Sequence, residues 1–220
     1  MNTESGIQEL YSSKDTDILK KYIKKHYGKI QSFYRDYSST GVHPDIAIIP
    51  PNLSKPFFTL VTIGLGAHIT ALPDNAPSNA GKPFAERMEL ILTLDKGWHL
   101  EEKTEEWYWP LHMLRDAAKL AAERNCCFEE FPAIEMPKYY DPFNKFIGAL
   151  LADPEVDISE DTSPCRLTEG EEVRFFQFIP LFREELRFRK DHGGEQLFKK
   201  LRKDALDLVY CVNPERHSVS

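Results

Sequence analysis

Apolar positions along the chain fall into patterns that predict strands first. Asp45–Ile49 is a β-branched run, and the two prolines that follow must end it because proline donates no amide to a ladder. Phe57–Ile63 carries bulky side chains at odd and at even positions, so both of its faces should be covered. Together these runs predict a hairpin at the centre of a sheet, with Gly64 and Gly66 easing the backbone beyond its second strand.

Three later segments also predict strands. Residues 84–94 alternate, which predicts a strand covered on one face and closed by a turn at residues 95–97. The apolar face holds Met88, Leu90, Leu92 and Leu94, and the polar face holds Arg87, Glu89 and Thr93. Residues 173–182 are apolar on both faces, as in an interior strand. A last strand is expected at residues 206–212.

Helical spacing of apolar residues indicates an amphipathic helix near the N-terminus. It should begin behind a cap at Asp15 or Thr16 and end before Gly28. Its apolar stripe consists of Ile18, Leu19, Tyr22, Ile23 and His26. Residues 30–37 are expected to continue this helical layer.

Further helices are predicted in the second half of the chain. Trp107-Tyr108-Trp109-Pro110 should stand at the start of one, because proline is tolerated in the first turn. Its buried stripe is predicted to be Leu111, Leu114, Ala118 and Ala121. A charged helix over residues 184–189 should break at residues 192–194. Leu197, Phe198 and Leu201 form the apolar side of a final helix.

Strands joined by hairpins, mixed with helices that follow long strands, predict an α+β domain in which helices cover a mixed central β-sheet. We expect a single domain over residues 1–220, with the N-terminal helical segment, residues 1–40, packed on it. Residues 73–83 predict an exposed loop, and residues 153–170 predict an acidic surface connection. Residues 126–154 are either an irregular packed loop or a hairpin.

Composition narrows the classes of partner. The formal charge of -7 and the pI near 5.6 argue against a nucleic-acid surface. An acidic balance suits a basic protein partner and equally suits plain solubility. The chain lacks a signal sequence at its start and any apolar run of about 18 residues, so no membrane span and a cytoplasmic location are predicted.

The chain offers little that predicts catalysis. Its seven histidines are scattered singly, so neither a metal site nor a cofactor is predicted. Buried free thiols are predicted at Cys126, Cys127, Cys165 and Cys211, which lack the spacing of a metal or redox motif. A hydrolase using Cys126 or Cys127 with a distant histidine stays an alternative. Paired carboxylates are interpreted as solvated edges or helix starts at Glu86 and Glu89, Glu105 and Glu106, and Glu129 and Glu130.

Aromatic residues are denser than one helix start and one loop need for packing. They are Trp107, Tyr108, Trp109, Tyr139, Tyr140 and Phe143. Tyr139, Tyr140, Asp141 and Phe143 are the candidate protein-binding residues, because they offer aromatic anchors and an acid that suits a basic partner. The competing interpretation is that the three rings close the end of the core.

The series of segments along the chain resembles the suppressor-of-fused family in its compact single-domain bacterial form. The stretch at residues 43–73 carries the resemblance first, and no single piece is a sharp motif. Four further segments continue it in order: Glu86-Arg87-Met88-Glu89-Leu90, Trp107-Tyr108-Trp109-Pro110, Phe175-Phe176-Gln177-Phe178-Ile179-Pro180-Leu181, and Val212-Asn213-Pro214-Glu215-Arg216.

This resemblance implies a non-enzymatic binding module. Animal relatives hold a transcription factor by gripping a short extended peptide against a sheet, and many bacterial members resemble immunity proteins that neutralise polymorphic toxins by direct contact. The expected partner is therefore another protein, either a toxin domain or an extended peptide, bound by a monomer. The alternative is a regulatory scaffold or adaptor. Residues 120–137 depart from the family pattern, and the chain matches one domain's worth of the animal protein, so no site is carried over by analogy.

Overall fold

A mixed β-sheet organises the chain in the computed structural model, which describes residues 10–35, 44–68, 86–124, 131–136, 142–154, 163–204 and 211–219. Its strands are β1 (Ser32–Tyr34), β2 (Asp45–Ile49), β3 (Phe57–Ile63), β4 (Arg87–Asp95), β5 (Ala133–Glu135), β6 (Gly148–Ala152), β7 (Cys165–Arg166) and β8 (Glu172–Leu181). They lie in the order β1-β2-β3-β4-β8-β6-β5, and β7 pairs with β8 beside this path. The predicted α+β class with a mixed sheet is confirmed.

The four α-helices in the described part of the chain cover both faces of this sheet. They are α1 (Ser13–His26), α2 (Glu105–Arg124), α3 (Arg183–His192) and α4 (Gly194–Asp204). Leu19 and Ile23 of α1 pack with Val61 and Ile91 on one face. Helices α3 and α4 cover the same face farther along β8, where Leu186, Leu197 and Leu201 contact Ile179 and Leu181. Helix α2 covers the opposite face with its predicted stripe of Leu111, Leu114, Ala118 and Ala121, which is fully buried.

The predicted hairpin exists but does not lie at the centre of the sheet. Strands β2 and β3 pair antiparallel, with Ile48 opposite Leu60. The central strands are instead β4 and β8, which pair in parallel. Because β6 and β5 lie beyond β8, three more strands follow β4 in the sheet. The hairpin therefore lies between the centre of the sheet and its β1 edge.

Strand β4 is covered on both faces, whereas the sequence predicted cover on one. Glu89 is 0% exposed and Thr93 is 4% exposed. Each polar group has a partner inside the fold: Gln177 Nε2 donates to Thr93 Oγ1 at 3.3 Å, and Glu89 accepts three hydrogen bonds. The alternation is present, but its polar face is buried on the side of the sheet that α1 covers. Polar side chains can be buried there because each of them has a hydrogen-bond partner within the protein.

The N-terminal layer differs from prediction at both of its ends. Helix α1 begins at Ser13, and its cap is Ser12, whose Oγ accepts from the Asp15 amide at 3.1 Å. The expected helical continuation over residues 30–37 is wrong, since β1 lies there and pairs antiparallel with β2. Gly28 takes a φ of 124°, which ends the helical path and turns the chain toward this strand.

Two helix boundaries were predicted with different success. Pro110 is the sixth residue of α2, beyond the first turn in which it was expected. The break between α3 and α4 falls at Gly193, with a φ of 89°, as predicted.

Several predictions fall partly or wholly outside the described residues. The loop at residues 73–83 lies outside them, and so do Cys126, Cys127, and residues 206–210 of the expected last strand. Within residues 126–154, β5 and β6 pair antiparallel, which favours the hairpin over the irregular loop. In the acidic connection at residues 153–170, the described part includes the short strand β7. No helix in the described part of the chain is both long and apolar enough to cross a bilayer.

Candidate protein-binding site

Half-buried aromatic side chains surround the first turns of α2 and form what we call the aromatic surface: Tyr34, Trp98, Trp107, Tyr108 and His112. Trp98 packs edge-to-face against Trp107 at 5.5 Å, and its Nε1 donates to the Trp107 carbonyl at 2.9 Å. The ring of His99 lies against the other tryptophan, Trp107, at 4.8 Å. The indoles are therefore held in fixed positions while part of each stays accessible.

The aromatic surface adjoins one end of the sheet. Tyr34 of β1 packs edge-to-face against Tyr108 at 5.8 Å and lies 5.7 Å from the His112 ring. Arg115 Nη1 donates to the Tyr34 hydroxyl at 3.0 Å, and its other nitrogens bind Asp116. Strand β1 is the terminal strand of the described sheet, and such a strand presents one row of backbone groups outward.

Carboxylates stand directly beside these rings. Residues 101–106 are all exposed and contain four glutamates, Glu101, Glu102, Glu105 and Glu106. Hydrogen bonds from its own backbone amide and from His99 lower the pKa of the Glu101 carboxyl. Glu105 Oε2 lies 3.2 Å from His112 Nδ1. Lys103, the one basic residue in this run, takes the left-handed conformation with a φ of 54°.

The residues predicted as the binding site are only partly described. Phe143 is half-buried and packs against the core beneath α2. Tyr139, Tyr140 and Asp141 lie outside the described residues. Next to them, Asn144 is 5% exposed; its Oδ1 accepts from the Phe146 amide at 2.9 Å, and its Nδ2 has no hydrogen-bond partner in the described part of the chain.

The predicted aromatic cluster divides between core and surface. Trp109 is 2% exposed and belongs to the core, where it contacts Phe146. Trp107 and Tyr108 remain half-buried, and burial raises the pKa of Tyr108. Trp98 and Tyr34 complete the surface and were missed, because they come from a turn and from a strand that sequence patterning did not connect with α2.

Glu89 was predicted as part of a solvated edge or helix start, and that interpretation is wrong. Its Oε2 accepts from Thr62 Oγ1 at 2.5 Å, and its Oε1 accepts from the amides of Gly64 and Gly66 at 2.9 and 3.2 Å. Burial is the main cause that raises its pKa, and the three hydrogen bonds oppose that rise. The two glycines beyond β3 were the available signal, since their amides are what the carboxylate binds. Glu86 is exposed, and Glu105 and Glu106 begin α2, as predicted.

The hydroxyl of Tyr11 and the thiol of Cys165 are buried near Glu89. Burial first, and then the charge of Glu89, raise the pKa of Tyr11. The same two causes, in that order, raise the pKa of Cys165 to about 11. A thiol with such a pKa is protonated at neutral pH and is a poor nucleophile. Cys165 is buried as predicted, whereas Cys211 is only half-buried.

A buried ion pair joins the C-terminal segment to α3. Arg216 binds Glu185 through both of its terminal nitrogens, at 2.5 and 2.7 Å. The guanidinium also donates to the Pro180 carbonyl at 2.8 Å and lies 4.5 Å from the centre of the Phe182 ring. Both side chains are almost fully buried, so this pair is part of the fold rather than of an accessible site.

The described residues contain no group of three or more His, Cys, Asp or Glu side chains arranged to hold a metal ion. The described residues do form an aromatic surface with carboxylates beside it, and its Tyr34 belongs to the edge strand β1. Such an arrangement offers main-chain pairing, ring contacts and charge to a protein segment.

The fold is similar to three solved structures. A suppressor-of-fused homologue from Neisseria gonorrhoeae FA 1090 superposes with a TM-score of 0.61 at 16% identity, over 96% of this chain and 97% of that one. The Sufu–Fu complex gives a TM-score of 0.63 at 15% identity, over 95% of this chain and 93% of that one. Drosophila Suppressor of Fused gives a TM-score of 0.57 at 16% identity. The superposition covers 93% of this chain but only 50% of the Drosophila chain.

No curated protein matches the chain in sequence. The family model described as Suppressor of fused protein (SUFU) matches residues 40–216. This match takes in β2, β4, α2, β8 and the C-terminal segment, which carried the resemblance. The chain belongs to the suppressor-of-fused family.

Proposed function

We propose that this chain is a non-enzymatic protein-binding module. The observation that supports it most is the aromatic surface, where the half-buried Tyr108 packs against Tyr34 of the terminal strand β1 and the half-buried Trp107 precedes Tyr108 in α2. Tryptophan and tyrosine are the residues that most often anchor protein interfaces. A relative of similar fold, at 15% identity, was solved as the Sufu–Fu complex.

Within this class, the proposed role is that of a cytoplasmic, monomeric immunity protein that neutralises a polymorphic toxin by direct contact. The compact bacterial form of the family and the acidic net charge of -7 support it, because acidic inhibitors suit basic toxin domains. The proposed unit is a single domain over residues 1–220. A regulatory adaptor that binds an extended peptide is the second candidate, and it is favoured by the position of β1 at the end of the sheet.

Co-expression with the polypeptide encoded by the neighbouring reading frame tests the immunity role. Expected results are rescue of growth from that polypeptide's toxicity and a complex of the two purified proteins. Normal growth without this chain, or no complex, would contradict the immunity role. Binding of the neighbour without any toxicity would support the adaptor instead.

The stretch containing Tyr139, Tyr140, Asp141 and Phe143 is proposed as a second contact region. Replacing Tyr140 and Asp141 together with alanine should lower partner affinity by about 2 kcal/mol or more with an unchanged melting temperature. Affinity and melting temperature are measured on the same sample. A lower melting temperature with unchanged affinity of the folded fraction would show that the rings only close the core.

The hydrolase alternative depends on Cys126 and Cys127. Replacing both with serine should leave partner binding and growth rescue unchanged if the chain acts by contact alone. Circular dichroism checks that the variant is folded. Loss of the biological effect in a folded variant would contradict the non-enzymatic proposal.

A further inference from the structure

The aromatic surface has a marked local charge. Glu101 and Glu102 precede it, and Glu105 and Glu106 come directly before Trp107, all with exposed side chains. The side chains of Glu101 and Glu105 are 70% and 74% exposed. Their carboxylates are therefore available to a partner that contacts the neighbouring rings.

Aromatic faces next to carboxylates favour one kind of occupant. A guanidinium or ammonium group is attracted to the face of an indole or phenol and pairs with a carboxylate at the same time. This chain uses the first contact within its own fold: Lys200 lies 4.5 Å from the Phe188 ring centre, and Arg216 lies the same distance from Phe182.

Other classes of occupant fit less well. Four carboxylates repel phosphate groups, which argues against nucleic acid and against an anionic membrane. They also repel an acidic peptide, while a purely apolar peptide would leave the charges beside it without partners. The chemistry of the surface thus selects among protein segments.

We infer that the aromatic surface binds an extended partner segment rich in arginine or lysine, whose cationic groups lie on Trp107 and Tyr108 and pair with Glu105 and Glu106. This inference deepens the proposed function and rests on it. Since the charges are exposed, binding should weaken as salt rises.

Intrinsic fluorescence can report this binding directly. The chain has three tryptophans, and all of them, Trp98, Trp107 and Trp109, belong to or contact the aromatic surface. The probes are blocked hexa-arginine, hexalysine and hexaglutamate peptides, titrated at low and at high salt. We expect saturable changes with the two cationic peptides, weaker binding at high salt, and no change with hexaglutamate.

A pair of charge-matched variants separates local recognition from net charge. Glu105→Gln with Glu106→Gln should weaken hexa-arginine binding at least about three-fold. The control, Glu184→Gln with Glu195→Gln, removes the same charge from α3 and α4 on the opposite face of the sheet and should leave affinity unchanged. Both variants keep all three tryptophans, and circular dichroism confirms their folding.

Three results would overturn the inference: equal binding of hexaglutamate, no binding of either cationic peptide, or equal weakening by the two variants. Failure of the cationic inference is distinguished from failure of the proposed function by the complex with the polypeptide that the neighbouring reading frame encodes. If Glu105→Gln with Glu106→Gln leaves that complex intact, the cationic inference fails while protein binding stands. If the wild-type chain forms no complex, the proposed function itself fails.

Discussion

Glu89 connects two strands and the turn after one of them through a single carboxylate. It sits on β4, and the groups that donate to it come from Thr62 at the end of β3 and from Gly64 and Gly66 beyond it. The turn is also tightly packed: a Cβ on Gly66 would lie 2.2 Å from the Tyr11 hydroxyl oxygen and 2.9 Å from the Met88 carbonyl oxygen. No larger residue fits there, so the carboxylate and the glycine depend on each other.

Removing the Glu89 carboxylate should lower the free energy of unfolding strongly, whereas replacing it with an amide should lower it much less. Glu89→Ala leaves two buried amides and a hydroxyl without an acceptor, and we expect a loss of about 2 to 4 kcal/mol in the free energy of unfolding. Glu89→Gln keeps an oxygen for Gly64 and Gly66, and its amide group can donate to Thr62 Oγ1. Urea denaturation of both variants measures the difference, and equal losses would show that shape alone matters.

The raised pKa of Glu89 predicts a pH dependence. The folded chain holds this proton more tightly than the unfolded chain, so the resulting stabilisation is present below the ordinary pKa and is lost as pH rises through the raised one. As pH rises above the ordinary glutamate pKa of about 4.3, the wild type should lose unfolding free energy relative to Glu89→Gln. Glu86→Gln, which removes a carboxyl group at an exposed position nearby, serves as the control variant. A constant difference between wild type and Glu89→Gln would refute the prediction.

Arg216 should contribute more to stability than an ordinary ion pair. Arg216→Ala leaves the Glu185 carboxylate buried without its bidentate partner, and we expect a loss of about 3 to 5 kcal/mol. Lys199→Ala breaks the exposed pair with Glu195 and should cost less than about 1 kcal/mol. Thermal and urea unfolding measure both. Similar small losses would mean that water reaches the Arg216 site.

At the scale of elements, the β2–β3 hairpin combines a buried pair of strands with a rigid exposed loop. Leu60 is fully buried in β3, whereas Leu53 in the connecting loop is fully exposed. Asn52 Oδ1 accepts from the Ser54 amide and hydroxyl and from the Lys55 amide, which fixes the loop. Lys55 Nζ also donates to the His26 carbonyl and so ties the loop to the end of α1.

The same substitution at these two leucines should give opposite results. Leu60→Ala removes buried methyl groups and leaves a cavity, which should cost about 2 to 5 kcal/mol. Leu53→Ala changes only exposed surface and should stay within about 0.5 kcal/mol of the wild type. Urea midpoints compare the two variants. A large loss at Leu53 would show that the loop packs against another part of the chain.

Sequence patterning located long elements well and short or polar ones poorly. The runs that became β2, β3 and β8 have bulk on both faces, and burial is the dominant reason for their structure. Strand β1 has three residues and owes its conformation to pairing with β2, which no local pattern encodes. Glu89 looked solvated because two of its three hydrogen-bond partners are backbone amides, which every residue except proline carries. Predicting the aromatic surface would have required knowing that Tyr34 of β1 and Trp98 of the turn after β4 both pack against the start of α2.

At the scale of the whole molecule, helices on both faces leave the ends of the sheet as the places where further strands could be added. The aromatic surface lies at the β1 end, on the face that α2 covers. The buried pairs around Glu89 and Arg216 lie elsewhere and support the fold. Binding and stability are therefore separable, so substitutions at Glu105 and Glu106 should change affinity without changing the melting temperature.

The parallel pairing of β4 with β8 has a consequence for how the chain acquires its structure over time. Arg87 must meet Val173, and both strands lie at the centre of the sheet. Bringing such distant segments together costs chain entropy before any contact compensates it, so refolding in stopped-flow experiments should take milliseconds to seconds rather than microseconds. During synthesis, the ribosome releases β2, β3 and β4 well before β8. Until β8 emerges, the edge of β4 that pairs with β8 has no partner strand. At this stage the nascent chain is most prone to aggregation.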